Sequence, residues 1–245
     1  MADLTVDVAD HIATVTLDRP PVNAVTRQTY VELRAIFDSL SADRDVRVAI
    51  FTAAGDRAFM AGIDLRDPDG GFDPTTASPE LAIEPARAAR DAMWSITDCA
   101  VPVIAAVNGA AIGAGLAFVV CCDLIVAAEG AMFGTTEINV GLLGASAHLS
   151  RLVGRHKARE LYFTGDLVPA EQLHQWGAVN AVVPRAALLE EARALAARLA
   201  SKSPIALRLA KQSMNRVEDM DLKQGYQTEQ AYTALLRASD ESTWR

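Results

Sequence analysis

Glu137 closes the stretch Phe133-Gly134-Thr135-Thr136-Glu137, a short polar run inside an otherwise apolar region. A carboxyl in apolar surroundings is pushed toward its neutral form, which suits it to take up and return a proton near neutral pH. A glutamate at a helix N-terminus would give the same pattern. Two glycine turns are the other features that could do chemistry. One is Phe59-Met60-Ala61-Gly62-Ile63-Asp64, tight around Ala61-Gly62; the other runs from Asn108-Gly109 to Gly113-Ala114-Gly115. Glycine lets backbone approach a ligand closely, and a turn that opens a helix leaves N–H donors unpaired. Two such donors converging on one carbonyl oxygen would form an oxyanion hole, worth roughly 3–4 kcal/mol per donor to a transition state. Glycines that only serve turns would look the same. His148 is either a functional polar group or a residue that helps start a helix.

Familiar cofactor and hydrolase motifs are missing from this sequence. Gly113-Ala114-Gly115 opens a helix, but Phe118 stands where a dinucleotide fingerprint needs its third glycine, and there is no Walker A motif. No HExxH and no GxSxG elbow occur, and no metal site is expected.

The elements that must carry these residues follow from periodicity. Residues 5–8 and 12–17 alternate as strands. Thr26 suits an N-cap, with Tyr30, Leu33, Phe37 and Leu40 at helical spacing behind it. Residues 46–51 read as a buried strand, 53–64 as a small-residue loop, 67–79 as a lid-like loop, and 84–96 as a helix. The apolar block 101–128 is long enough to span a membrane. Pro102, Asn108-Gly109 and Gly113-Ala114-Gly115 break it into strand 103–107, turn, helix 113–121 and strand 124–127. A loop over 130–141, short helices to Trp176 and a last strand at 178–183 follow. Beyond Arg185 the patterns are helical: 186–200, 204–214 and 222–236. Leu207, Ala210, Met214 and Val217 form a stripe that could pack on the core or on another subunit, with core packing the default reading.

The 245 residues are 51% hydrophobic and 22% charged, which permits a large core and excludes a disordered chain. The net charge of −8 argues against nucleic-acid binding, which is driven by phosphate neutralisation. Cys99, Cys121 and Cys122 are too few for a disulfide framework and read as small hydrophobes in a reducing compartment. Residues 1–10 carry Asp3, Asp7 and Asp10 and no basic stretch, so no signal peptide is expected. Together these readings place the protein in the cytoplasm, off the membrane.

Several ordered blocks together resemble the crotonase, or enoyl-CoA hydratase/isomerase, superfamily over nearly the whole chain. They are Leu17-Asp18-Arg19-Pro20-Pro21-Val22-Asn23-Ala24, Ala58–Leu65, Ala105-Ala106-Val107-Asn108-Gly109 with Gly113-Ala114-Gly115, and Cys122-Asp123. Phe133-Gly134, Glu137, Gly141, residues 161–166, Trp176-Gly177-Ala178-Val179 and Val182-Val183-Pro184 continue the series. The resemblance implies an α/β fold: a crotonase-like spiral of ββα turns over residues 1–184 and a C-terminal helical trimerisation element over 185–245. It implies a homotrimer or homohexamer acting on an acyl-CoA thioester, with coenzyme A as part of the substrate and no separate cofactor. Backbone N–H groups of Ile63 and Ala114 would then hold the thioester oxygen, and Glu137 would be the acid/base. Arg19, Val22, Ala24, Ala61, Asp64, Leu65 and Arg66 fall where the family contacts coenzyme A. Ala110, Gly113, Ala117, Thr136, Leu142 and His148 belong to the same implied substrate site.

The departures set the expected chemistry. Family hydratases use two glutamates; Glu137 matches the second, and the first position is Ala117. A carboxylate some relatives carry eight residues after Glu137 is here Ala145, and the usual Pro-Gly-x-Gly-Gly stretch reads Gly144-Ala145-Ser146-Ala147-His148. Hydration normally wants two groups, whereas moving a double bond needs one base that removes and returns a proton. The expectation is an enoyl-CoA hydratase or isomerase with a single acid/base. Decarboxylation or thioester hydrolysis, with His148 involved, and a non-catalytic acyl-CoA binder or scaffold are the alternatives.

Overall fold

The computed structural model describes residues 3–67 and 79–239, with 79–85 described by their backbone alone. Of the expected lid-like loop, residues 68–78 lie outside the described residues. A six-stranded sheet is built in the order β1 (Leu4–Ala9), β2 (Ile12–Leu17), β3 (Val48–Ala53), β5 (Val103–Val107), β7 (Leu124–Ala128), β10 (Ala181–Val183). The β1–β2 pair is antiparallel and the rest of this sheet is parallel. A smaller sheet runs β4 (Ala58–Met60), β6 (Ala110–Ile112), β8 (Met132–Gly134), β9 (Val168–Pro169).

The large-sheet strands β3, β5 and β7 each feed a short strand of the small sheet, and a helix follows. β3 and β4 lead to α2 (Pro79–Thr97), and β5 and β6 to α3 (Ala114–Val120). β7 and β8 lead to the 3-10 turn Glu137–Val140 and α4 (Ser146–Val153). This repeated ββα step is the crotonase spiral. The short strands β4, β6 and β8 lie in stretches that the sequence presents as loops or turns. Three residues are too few to show a period, and pairing with neighbours is what holds them extended.

Strands β3 and β5 are buried at every position, so they read as continuous apolar runs instead of alternating ones. Ala49, Phe51, Ala105 and Val107 face the main core, where Phe51 meets Phe37, Phe59 and Phe118. Val48, Ile50, Ile104 and Ala106 face the other way, onto Leu188, Ala192, Ala196 and Ala200 of α7 (Leu188–Ala200). α7 therefore covers one face of the sheet, although the sequence boundary after 184 groups it with the C-terminal helices. On the opposite side α1 (Arg27–Ala42) starts at Thr26, which forms a capping box with Thr29.

The helices α5 (Arg155–Thr164) and α6 (Ala170–Gln175) precede β10. After α7 come α8 (Pro204–Val217), capped by Ser203, and α9 (Leu222–Ala238), which packs mainly on α8. The α8 stripe corrects the sequence reading. Its buried residues are Arg208, Lys211 and Ser213, while Met214 is 72% exposed. Arg208 donates to the carbonyls of Ser41, Asp43 and Val46, and Lys211 to those of Ile96 and Val101 and to Asp123 Oδ2. Strand and helix ends of the spiral supply bare carbonyls there, so cations rather than aliphatics face inward. No helix among the described residues is long and apolar enough to cross a membrane; the 101–128 block is divided among β5, β6, α3 and β7.

Candidate active site

Strands β4, β6 and β8 run parallel, with Met60 opposite Ala111, Ala111 opposite Phe133 and Ile112 opposite Gly134. Their carboxyl ends therefore open on one side of the small sheet. The chain that leaves them carries Ala61–Asp64, Gly113–Ala114 and Thr135–Glu137. The three segments marked by the sequence as chemistry-bearing are brought together by this pairing alone.

The turns are tightly tied. Gly113 takes φ +58°, in the left-handed region that favours glycine, and its N–H donates to Gly134 O at 2.9 Å. Ala114 is the first residue of α3, so its N–H has no partner within the helix. Ile63 bridges Val25: Val25 N–H donates to Gly62 O and Asp64 N–H to Val25 O, both at 2.9 Å. That pattern uses the groups on either side of the Ile63 amide. Neither the Ile63 nor the Ala114 N–H is taken by a backbone carbonyl among the described residues. Gly115 packs against the Met60 carbonyl so closely that a Cβ would overlap it, which locks the start of α3 to the end of β4.

Glu137 opens the 3-10 turn, and its carboxylate lies between two glycines. Oε1 stands 2.8 Å from where a Cβ would be at Gly113 and at Gly144 alike. A Cβ at either position would push the carboxylate aside. Oε2 is buried and makes no hydrogen bond among the described residues. Burial raises the carboxyl above the usual glutamate range, while backbone N–H groups of Glu137 and Thr136 pull it part of the way back. Ala117 is buried, and its N–H bonds Gly113 O at 3.1 Å. Four residues on from Gly113, it shares the helix face that meets the carboxylate.

The segment 19–25 runs beside the Ile63 turn. Asn23 is buried, accepts from the Arg19 N–H and donates to the carbonyls of Ala54 and Ala58. Ala61 N–H donates to Val22 O at 3.1 Å, and Arg19 Nη1 to Ala24 O at 2.6 Å. Arg19 also pairs with Asp64 at 2.9 Å and Asp3 at 3.4 Å. Its guanidinium is therefore matched by two carboxylates and ties the turn together. The Arg66 backbone amide and then the Arg19 side chain hold Asp64 below the usual carboxylate range. Arg66 itself is 91% exposed on its side chain. Leu65 is exposed beside it, Ala110 lies in β6, and Thr136 and the half-exposed Leu142 flank the Glu137 turn.

His148 is the remaining candidate. It stands on α4 and lines a cavity of about 690 Å³ with Cys121, Arg151 and Lys211, to which Glu137 does not contribute. Burial first, then Arg151, lowers its pKa, so it is a neutral imidazole near pH 7. Gly144 and Tyr162 are contacts that the sequence reading did not assign: Gly144 N–H donates to Tyr162 Oη at 3.2 Å. Nothing local signals that bond, because 18 residues separate its partners.

A family model described as enoyl-CoA hydratase/isomerase matches residues 7–243. The chain belongs to the enoyl-CoA hydratase/isomerase family. Among similar members, a Rhodococcus jostii (strain RHA1) protein named (7aS)-7a-methyl-1,5-dioxo-2,3,5,6,7,7a-hexahydro-1H-indene-carboxyl-CoA hydrolase is 40% identical, over 91% of this chain and 84% of its own. The (E)-benzylidenesuccinyl-CoA hydratase of Thauera aromatica is 32% identical, over 97% of this chain and 92% of its own. A crystal structure of enoyl-CoA hydratase from Bacillus anthracis superposes with a TM-score of 0.89 at 33% identity, covering 98% of this chain and 93% of that one. Relatives in this enoyl-CoA hydratase/isomerase family thus carry hydrolase and hydratase names, and all of the named ones act on CoA thioesters.

Proposed function

We propose that this family member binds an acyl-CoA thioester with its carbonyl oxygen between the Ile63 and Ala114 N–H groups and uses Glu137 as its only proton-transfer group. The observation that carries this reading is a buried, hydrogen-bond-free Glu137 Oε2 beside a helix face that presents Ala117 instead of a second acid. Polarising the thioester carbonyl acidifies the Cα proton, and the resulting enolate is held by the two amides. Glu137 takes the proton from Cα and returns it to Cγ, two carbons further along, as the double bond moves between them. Double-bond isomerisation of an enoyl-CoA is the reaction that one carboxylate serves by itself; hydration by the same group is the slower variant. The coenzyme is the substrate's handle, and no other cofactor is required.

The Rhodococcus relative favours a second reading. There Glu137 would activate water for attack on the thioester carbonyl, and the C–S bond would break to release the free acid and the coenzyme A thiol. A panel of CoA esters analysed by mass spectrometry separates the two: a 3-enoyl-CoA rearranges without change of mass, and a hydrolysed ester splits into free acid and coenzyme A. Tight binding with no turnover of any panel member would sink both.

The hydratase pair can be rebuilt. Ala117→Glu places a second carboxyl one helical turn beyond Gly113, and crotonyl-CoA hydration is expected to rise by about 10²-fold over wild type, the lower end of a general acid–base contribution. Wild type that already hydrates crotonyl-CoA rapidly would contradict the single-carboxylate reading.

We also propose a homotrimer or homohexamer assembled through α8 and α9, supported by exposed Met214, Leu222, Tyr226 and Leu235 on those helices. Light scattering at micromolar concentration is expected to give three or six times the 26.1 kDa chain mass. A stable monomer would overturn this.

A further inference from the structure

Oε2 of Glu137 has no hydrogen-bond partner among the described residues, and only the backbone N–H groups of Thr136 and Glu137 act on the carboxyl, so the walls beside it help decide where it stands. The Gly113 wall is fixed by its bond to Gly134 O and by α3. The Gly144 wall belongs to residues 142–145, which lie in neither helix nor strand. Leu142 N–H donates to Glu137 O at 2.9 Å at one end of this segment. At the other, Ala145 takes φ +55°, a conformation that an L side chain adopts with strain, and its carbonyl accepts from Leu149. Between these ends, the Gly144–Tyr162 bond is the only side-chain hydrogen bond made by residues 142–145 among the described residues.

Tyr162 sits on α5 with its ring half-buried against the core and edge-on to Phe163, 6.4 Å between centroids. α5 is also tied to the Glu137 turn, because the Asn139 side chain lies against Gly165 at the end of that helix. A phenylalanine at 162 would pack equally well. Only the hydroxyl reaches Gly144.

We infer that Tyr162 is a positioning residue: by accepting the Gly144 N–H it fixes the wall that holds the Glu137 carboxylate in place and away from water. The inference rests on Glu137 being the proton-transfer group. The physical chain is short. A part-buried amide stripped of its acceptor costs up to about 1–3 kcal/mol, so without the hydroxyl the segment would shift to let water reach the Gly144 N–H. Water that reaches Gly144 also reaches Oε1. Rehydration lowers the carboxyl toward the ordinary glutamate range. No charged neighbour contributes to the raised value: Gly113 faces the carboxylate from the start of α3 and Gly144 from the loop. Tyr162, from α5, is the titratable group on that wall, and His148, on α4, lines the separate cavity.

The test is Tyr162→Phe in the full chain, with two readings. One is exchange of the Cα protons of butyryl-CoA in deuterium oxide, a saturated probe that reports enolate formation alone. The saturated exchange rate is expected to fall about tenfold with half-saturation unchanged, as for a small misplacement of a catalytic group. The other is titration of ¹³C-labelled glutamate carboxyls by NMR, with Glu137 assigned from Glu137→Gln. Its midpoint is expected to fall in the variant. A merely structural tyrosine would lower the melting temperature without moving that midpoint. An unmoved midpoint, or a loss confined to half-saturation, overturns the inference. Should the variant not fold, hydrogen exchange of the Gly144 amide in wild type decides: protection supports the bond, and exchange at the rate of a free amide overturns it. Glu137→Gln is measured alongside. If it retains exchange, the proposed function fails; if it abolishes exchange while Tyr162→Phe is silent, only the role of Tyr162 fails.

Discussion

Glu137→Gln is expected to lower turnover of the protein's acyl-CoA substrate by roughly 10²- to 10⁴-fold while CoA-ester affinity stays within a few-fold of wild type. Gln keeps the shape that fits between Gly113 and Gly144 and removes the base. Steady-state kinetics and calorimetry on the same preparation separate the two effects. The pH profile carries the same signature. Because burial raises the Glu137 carboxyl, the acidic limb of kcat/KM should lie above the ordinary glutamate range, with activity rising as the carboxylate forms. The stability sign is opposite. An acid whose folded pKa is raised contributes stability that is fully present below its unfolded pKa and lost as pH rises through the folded one. Wild type should therefore lose stability relative to Glu137→Gln as pH climbs through that window.

Gly115→Ala should do the most damage of any single methyl added near the site. Its Cβ would overlap the Met60 carbonyl oxygen, which is backbone and cannot swing aside. Either α3 or the end of β4 must move. Overpacking of this kind costs about 1–3 kcal/mol, or roughly 2–12 °C in melting temperature for a chain of this size. The activity loss should exceed what that destabilisation explains. Ile63 follows β4 and Ala114 opens α3, so the same shift separates the two proposed donors. Loss of one oxyanion donor is typically worth about 10²- to 10³-fold in kcat. Thermal unfolding and turnover of the folded variant check both parts; a variant with wild-type melting and wild-type kcat would show that the two turns are not locked as described.

The sequence carried the long elements well, because their signals are local. Thr26 with Tyr30, Leu33, Phe37 and Leu40 marks α1, and Pro204 after Ser203 marks the start of α8. The glycine turns and Glu137 could be singled out from residue type alone. What brings them together could not, since β4, β6 and β8 are three residues each and exist through their pairing. Arg19 reads as a free cation until Asp3 and Asp64, both remote in sequence, are seen to flank it. The α8 stripe misled because burial there is governed by bare backbone carbonyls at Ser41, Asp43, Ile96 and Val101, and these call for Arg208 and Lys211. His148 was legible only as a polar residue near a helix start, and α4 places it on a cavity shared with α8.

Deuterium uptake at Cα of butyryl-CoA, compared between wild type and Glu137→Gln at matched saturation, tests the central claim most directly. Butyryl-CoA has no double bond to hydrate or shift, so uptake reports only the abstraction and return of a proton beside a polarised thioester. Wild type is expected to incorporate deuterium, and Glu137→Gln to do so at least about 10²-fold more slowly while still binding the ester. Uptake at the wild-type rate in Glu137→Gln would contradict the assignment of Glu137 as the sole proton-transfer group.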